Sequence, residues 1–216
     1  MTAGVLPAIG IFGGTFDPIH FGHLRTAFEC LERLRLDHVR FVPCADPPHR
    51  ARPFAPAAAR LEMVAAAVDG IAGFVADARE FDRGGPSFTV DTLRSLAAEF
   101  GDRSLSLIVG LDAFAGMDGW HEWQRIFELA HIVVARRPGA MMPVSGPIGA
   151  ALAERRTEDK ADLEARSAGR ILVMDVTQLD ISSTDLRNSI AAGVRPVYLL
   201  PDSVWSVIQR AGCYGA

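Results

Sequence analysis

The sequence predicts an α/β fold, a doubly wound parallel sheet with helices on both faces. The first observation is an alternation along the chain, because short apolar runs bounded by turn residues alternate with longer segments of helical period, as in βαβ units. The second is size and composition, since 216 residues with 49% apolar and 22% charged residues can bury one core and are too apolar for a disordered chain. We therefore expect a single domain over residues 1–216.

The first βαβ unit is the clearest of the chain. Residues 8–12 are an apolar run typical of a buried strand, and residues 13–18 hold the glycines and the proline of a turn. Residues 21–34 follow with apolar side chains on one helical face. Residues 38–42 predict the second strand, which Pro43 closes.

The rest of the chain continues the alternation, with one interruption. Helices are predicted at residues 55–68, 89–100, 184–192 and 202–210, and strands at residues 74–76, 105–109, 132–135 and 171–176. Residues 138–149 hold three prolines and three glycines, and the charged stretch 154–166 follows as a solvated helix or a mobile excursion. We expect residues 138–170 to be a mobile or inserted segment and residues 181–216 to form a helical C-terminal part.

Charge and cysteine content exclude several classes of protein. The 22 basic and 26 acidic residues give a net charge of −4 and a pI near 5.9 without a long basic run, so no nucleic acid polymer is expected as a partner. Cys30, Cys44 and Cys213 are too widely spaced to indicate a disulfide framework or a thiolate zinc site. With no secretory signal and no apolar run of about 18 residues, we expect a cytoplasmic protein that binds no membrane.

The turn after the first strand carries the clearest chemical signal. Ligands of open parallel sheets bind at the carboxyl ends of the strands, where this chain has Gly13-Gly14-Thr15-Phe16-Asp17-Pro18. The glycines let the backbone approach a ligand, and the N–H groups and positive dipole end of the next helix suit a phosphate. His20 and His23 lie three residues apart, so both can aim an imidazole N–H at the same anion.

Other interpretations of this turn are weaker. Taken alone, two histidines at this spacing are more often a pair of core or surface residues, and it is the surrounding turn that argues against this for His20 and His23. A zinc site would need a third ligand at suitable spacing, which the sequence does not show. A Gly-Lys-Ser/Thr loop and a Gly-x-Gly-x-x-Gly fingerprint are both absent, so neither a P-loop protein nor a dehydrogenase is expected.

A second motif begins a helix more than 150 residues later, Ile181-Ser182-Ser183-Thr184-Asp185-Leu186-Arg187. Ser182 or Ser183 can cap this helix and leave N–H groups and the Thr184 hydroxyl free for phosphate oxygens. Arg187, one turn further on, can add a charge-assisted contact. A well-capped helix with a surface arginine is the alternative.

The two motifs together resemble the signatures of the nucleotidylyltransferase superfamily, which implies a Rossmann-like nucleotidylyltransferase fold. Within it the chain is most similar to the bacterial nicotinate mononucleotide adenylyltransferases. That resemblance implies adenylyl transfer from ATP to nicotinate mononucleotide, which yields deamido-NAD and pyrophosphate in NAD biosynthesis. The same chemistry on nicotinamide mononucleotide or phosphopantetheine is an alternative, and so is a nucleotide-binding regulator without turnover.

The middle of the chain adds to the resemblance. The matching segments are Pro47-Pro48-His49-Arg50, Pro86-Ser87-Phe88-Thr89, Gly110-x-Asp112, Trp120 and Arg136-Arg137-Pro138-Gly139. Two positions depart from the family pattern, since Phe88 stands where tyrosine is frequent and Trp123 where other members have a different aromatic residue. The match is loosest over residues 138–170, to which no role is transferred.

For ATP, the resemblance implies three catalytic residues. His20 would contact the transferred α-phosphate, His23 would stabilise the leaving group, and Arg187 would hold the distal phosphates. Asp112 is expected to bind a ribose hydroxyl, with a simple helix cap as its alternative. The other positions implied in ATP binding are Gly13, Gly14, Thr15, Phe16, Gly110, Ser182, Ser183 and Thr184.

For the acceptor, the resemblance implies that Trp120 stacks on the pyridine ring and that Thr89 with nearby backbone amides binds the nicotinate carboxylate. Trp123 stays open as the stacking residue instead. The other implied acceptor positions are His49, Arg50, Ser87, Arg136 and Arg137. No protein metal site is expected, and Mg²⁺ would arrive with ATP. The sequence leaves open whether the chain forms a homo-oligomer.

Overall fold

A computed structural model describes residues 7–47, 52–137, 139–177 and 179–216. Its strands, in chain order, are β1 (Ile9–Gly14), β2 (His38–Pro43), β3 (Phe74–Ala76), β4 (Leu105–Gly110), β5 (His131–Arg136), β6 (Arg156–Thr157) and β7 (Ile171–Asp175). They form a seven-stranded parallel sheet in the order β3-β2-β1-β4-β5-β7-β6. The strand order reverses between β1 and β4.

Helices cover both faces of this sheet, as predicted. They are α1 (Phe21–Leu34), α2 (Ala57–Val68), α3 (Arg79–Arg83), α4 (Thr89–Phe100), α5 (Leu111–Ala115), α6 (Trp123–Leu129), α7 (Gly146–Arg155), α8 (Ala161–Glu164), α9 (Ser183–Ala191) and α10 (Asp202–Arg210). One core cluster packs the sheet against α1, α2, α9 and α10, and the other packs it against α4, α5, α6 and α7. The doubly wound α/β fold is therefore confirmed.

Successive side chains along a strand pack into the two cores alternately. In β1, Ile9 and Ile11 face the α4 side, whereas Phe12 faces the α1 side. Because successive strand side chains point to opposite faces, a central strand must be apolar at nearly every position. That requirement explains why the strands are continuous apolar runs in the sequence.

Most predicted elements exist at the predicted places. The bounds of α1, α4, α10 and β3 match the predicted ones, and the ends of the other predicted helices and strands lie within two residues of them. Periodicity does not predict α3, α5 and α6, because helices of five to seven residues are too short to display a repeating apolar face.

Residues 139–170 contain regular structure. Helix α7 buries Ile148 and Leu152 in the core, and β6 pairs with β7 at the edge of the sheet. In place of the solvated helix or mobile excursion expected at 154–166, the chain has the end of α7, then β6 and then α8, whose Leu163 is buried. In the part of the chain that the structure describes, no helix has the length and apolar character needed to cross a membrane.

Candidate active site

Two adjoining cavities lie at the carboxyl ends of β1 and β4, where the strand order reverses. The larger has a volume of about 590 Å³ and contains His20, His23 and Arg187. The smaller has a volume of about 220 Å³ and contains Thr89 and Trp120. Both are lined by a shared wall, made of Phe12, Gly13, Gly14, Thr15 and Gly110. This is the position at which doubly wound sheets bind their ligands.

The two histidines form a stacked pair at the start of α1. Their ring centroids are 3.8 Å apart and the planes are inclined by 28°. The backbone N–H of His20 donates to Nδ1 of His23 over 3.3 Å, so the proton of the neutral His23 ring lies on Nε2. Nδ1 of His20 is buried and has no hydrogen-bond partner among the described residues.

Burial sets the protonation state of this pair. It lowers the pKa of His20 to about 4. The pKa of His23 also lies well below its ordinary value, first because of burial and second because of the neighbouring His20. Both rings are therefore neutral near pH 7, and each offers an N–H donor without a full charge.

Neighbouring residues fix the positions of the two rings. Phe16 meets the His23 ring edge-on, with centroids 5.2 Å apart, and Phe16 itself is buried with a φ of 48°. Gly22 makes room for the other ring, because a Cβ at this position would lie 3.0 Å from two atoms of the His20 imidazole. Sequence analysis assigned no role to Gly22, although it stands between the two histidines.

The second motif is joined to the first by hydrogen bonds. Ser182 is the cap of α9, accepting from the N–H of Thr184 and of Asp185. Ser183 instead donates to the carbonyl of Pro18 over 3.0 Å. The Arg187 guanidinium donates to the carbonyl of Asp17 over 2.8 Å and to the Thr184 hydroxyl over 3.2 Å.

The larger cavity is strongly cationic. Arg52, Arg137 and Arg187 all line it, and Asp17 is the single carboxylate among its described lining residues. Arg137, expected on the acceptor side, thus lies with the histidines, where its guanidinium also pairs with Asp180 over 2.9 Å. Arg52 was not singled out in the sequence. An anion with several charges is the ligand that such a cavity suits.

The smaller cavity combines an aromatic wall with a helix N-terminus. Thr89 is the first residue of α4 and lines this cavity, and no side-chain cap of the helix is seen among the described residues. Trp120 lines the cavity, whereas Trp123 packs edge-on against Phe127 at 6.0 Å. His121, not singled out in the sequence, also lines the cavity and lies over the Phe88 ring at 4.3 Å. A flat ring with an anionic substituent would fit these groups.

A buried acid also reaches the smaller cavity. One carboxylate oxygen of Glu80 accepts from the Thr92 hydroxyl over 2.6 Å. The other oxygen is buried without a hydrogen-bond partner among the described residues. The sequence pattern gives no signal for this residue, because it lies in the short helix α3.

The remaining expected residues lie around these cavities. Ser87 accepts from the N–H of Ala45 and of Asp46, each over 3.1 Å, and holds the turn after β2 beside the smaller cavity. Asp112 is exposed in the first turn of α5, two residues after Gly110. Arg136 pairs with Asp175 over 2.6 Å and does not appear among the described lining residues of either cavity. His49 and Arg50 lie outside the described residues.

The donor set of the larger cavity suits an anion better than a bare cation. Within the described ranges no three His, Cys, Asp or Glu side chains come together as a metal site. The Asp17 carboxylate is engaged by three protein donors, the N–H of Phe54, the N–H of Ala55 and the Tyr214 hydroxyl. A divalent ion at this site would therefore be held mainly by the ligand that brings it.

The chain is similar to known proteins over nearly its whole length. A family model described as cytidylyltransferase-like matches residues 11–189. A probable nicotinate-nucleotide adenylyltransferase of Methylococcus capsulatus is 48% identical over 207 residues, which are 95% of this chain and 99% of that protein. A protein of the same name from Marinobacter nauticus is 49% identical over 207 residues, 95% of this chain and 96% of the relative.

Solved structures share the fold at low sequence identity. Nicotinic acid mononucleotide adenylyltransferase of Plasmodium falciparum, complexed with APC, has a TM-score of 0.70 at 14% identity and covers 96% of this chain and 97% of its own. A putative nicotinate-nucleotide adenylyltransferase of Vibrio parahaemolyticus has a TM-score of 0.64 at 16% identity, covering 97% and 96%. With its two motifs, its parallel sheet and these relatives, the chain belongs to the nicotinate-nucleotide adenylyltransferase family and is a nucleotidyltransferase.

Proposed function

We propose that this enzyme transfers the adenylyl group of ATP to nicotinate mononucleotide, forming deamido-NAD and pyrophosphate in NAD biosynthesis. The observation that carries the proposal is the junction of a cationic cavity and an aromatic cavity over one shared wall. With the ATP phosphates in the first cavity and the pyridine ring of the mononucleotide in the second, the 5′-phosphate of the mononucleotide would meet the α-phosphate of ATP at this wall. The Plasmodium falciparum relative has also been solved in complex with NaAD.

The reaction needs alignment and charge neutralisation more than a protein nucleophile. A phosphate oxygen of the mononucleotide attacks the α-phosphorus of ATP, and the bond from that phosphorus to the bridging oxygen of pyrophosphate breaks. The neutral rings of His20 and His23 donate hydrogen bonds to the oxygens on which charge increases. Arg187, Arg137 and Arg52 hold the distal phosphates and the leaving pyrophosphate.

The smaller cavity supplies acceptor selectivity in this proposal. Trp120 stacks on the pyridine ring, and the nicotinate carboxylate lies at the N-terminus of α4 beside Thr89. The dipole of that helix favours a carboxylate over a neutral amide, because an anion gains more from the positive helix end. The acid form of the acceptor should therefore be preferred to the amide form.

Magnesium enters as part of the nucleotide substrate. The described cavity residues offer donors and cations to the phosphates, and the Asp17 carboxylate already accepts three hydrogen bonds from the protein. Mg²⁺ coordinated by the ATP phosphates keeps most of its water ligands and neutralises part of their charge.

Pyrophosphate release with Mg-ATP and three acceptors in parallel tests the function. The acceptors are nicotinate mononucleotide, nicotinamide mononucleotide and phosphopantetheine. We expect a strong preference for the nicotinate form. Preference for either other acceptor would retain the histidine chemistry and contradict the roles of Trp120 and Thr89. No release with any acceptor, in a protein that binds ATP, would favour a nucleotide-binding regulator.

A further inference from the structure

The Asp17 carboxylate joins two distant parts of the chain beside the phosphate cavity. It is 6% exposed. One oxygen accepts from the N–H of Phe54 over 2.8 Å, and the other accepts from the N–H of Ala55 over 3.0 Å and from the Tyr214 hydroxyl over 2.6 Å. Tyr214 lies 197 residues further along the chain, in its C-terminal turn.

The backbone that Asp17 holds belongs to the wall of the larger cavity. Arg52 and Phe54 both line this cavity, although Phe54 is 75% exposed. The guanidinium of Arg187 lies 4.4 Å from the centroid of the Phe54 ring and donates to the carbonyl of Asp17. The same short loop therefore contacts Arg187 through Phe54 and carries Arg52.

Tyr214 is itself well anchored. The neighbouring Cys213 is buried in the core, and the Tyr214 ring packs against that core. Its backbone has a φ of 63°, so the ring is presented from a left-handed turn. Burial and the bond to Asp17 raise the pKa of Tyr214 above its ordinary range, so the hydroxyl stays a donor at all working pH values.

We propose that Tyr214 is a positioning residue for ATP, whose hydroxyl fixes the Asp17 carboxylate and through it the loop that carries Arg52 and Phe54. The inference rests on the proposed function in that it takes the larger cavity as the ATP site. Without the hydroxyl, the buried carboxylate keeps two backbone donors and loses its shortest hydrogen bond, so the common support of the loop and of the Arg187 contact is weakened.

Tyr214→Phe tests this role and has a matched control. The chain has two tyrosines, and the second, Tyr198, is 89% exposed, so Tyr198→Phe removes a hydroxyl without a buried partner. We expect Tyr214→Phe to raise the Kd of Mg-ATP, measured calorimetrically without acceptor, by roughly tenfold, as for a lost hydrogen bond to a charged group. The KM of ATP should rise in parallel, whereas the KM of the acceptor should change by less than about twofold.

Other outcomes overturn the inference. Unchanged ATP affinity in Tyr214→Phe would exclude a positioning role, and so would equal increases in both KM values or an equal effect of Tyr198→Phe. In a correctly folded variant, the amides of Phe54 and Ala55 should also exchange hydrogen faster than in the wild type. Unchanged exchange would contradict the proposed path through Asp17.

A measurement on the unaltered protein covers the case in which the variant does not fold. With ¹³Cζ-labelled tyrosine, saturating Mg-ATP should shift the Tyr214 signal and leave the Tyr198 signal in place, because coupling between two sites is reciprocal. An unmoved Tyr214 signal would refute the inference. If ATP shifts it while no acceptor releases pyrophosphate, the proposed reaction fails and the positioning role stands.

Discussion

Burial determines the protonation state of His20 and His23. A protonated imidazole would attract phosphate more strongly, yet burial keeps the rings of His20 and His23 neutral near pH 7. In the proposed reaction the two neutral rings are fixed donors, which need no proton uptake and little rearrangement as charge increases on the α-phosphate. Gly22 helps to keep the His20 ring in place, because a Cβ at this position would lie only 3.0 Å from two ring atoms and would push against them.

His20→Ala should reduce the turnover number by roughly 10²- to 10³-fold, the usual effect of removing one preorganised donor, and should leave ATP binding largely intact. Steady-state pyrophosphate release together with ATP calorimetry measures both quantities. His38→Ala is the control, since His38 begins β2 at the opposite end of the sheet. A turnover number equal to that of the wild type would remove His20 from the mechanism.

The same residue should make folding stability depend on pH. In the unfolded chain a histidine takes up a proton below about pH 6.5, whereas folded His20 resists protonation until about pH 4. The free energy of unfolding should therefore fall as the pH drops from 6.5 to 4, by up to about 3 kcal/mol from this group.

Urea titrations across that pH range, compared with His20→Gln, measure this contribution. The variant should lose less stability on acidification than the wild type. His121→Gln, at an exposed histidine, is the comparison variant. Parallel curves for His20→Gln and the wild type would contradict the depressed pKa of His20.

Among the elements, those with a long repeating pattern could be predicted from the sequence. Helices α1 and α4 span 14 and 12 residues with apolar faces, and their bounds were predicted without error. The connection from α5 to α6 could not be predicted, because its one regular piece is a single 3₁₀ turn, too short to show a repeating apolar face. It nevertheless carries Trp120, which only the family resemblance indicated.

Trp120→Ala should raise the KM of the acceptor roughly 5- to 150-fold and change the KM of ATP little, because stacking on a base contributes about 1–3 kcal/mol. Trp123→Ala is the matched comparison, since this side chain packs on Phe127 and does not line the cavity. The main effect of Trp123→Ala should be on stability. Steady-state kinetics with both substrates varied would measure the two KM values, and equal changes in both for Trp120→Ala would exclude stacking.

For the whole molecule, a buried arginine ties the two sides of the site together. Arg60, on α2, is 1% exposed and donates to the carbonyls of Thr15, Cys44 and Ala45, which follow β1 and β2. Nothing in the sequence marks it, because an arginine within a helix of mixed periodicity is normally at the surface. Its partners, like those of Asp17 and Arg137, become neighbours only when the sheet assembles.

Arg60→Met should lower the free energy of unfolding by about 2–4 kcal/mol, because it leaves three partly buried carbonyl groups without their donor. Urea denaturation measures the loss. Arg125→Met is the control at an exposed ion pair with Glu128 and should change stability by no more than about 0.5 kcal/mol. If both variants are equally stable, the buried guanidinium contributes nothing to the folded state.

The wall shared by the two cavities separates the groups that would select the acceptor from the groups that would carry out the transfer. Three of its five residues are glycines, so in the proposed reaction each substrate would contact mostly backbone at the wall. In the proposed reaction, the groups that distinguish one acceptor from another lie on α4 and around Trp120, apart from the histidines and arginines of the opposite cavity. Substitutions on that half of the sheet should therefore change acceptor preference and leave the transfer chemistry on the other half unaltered.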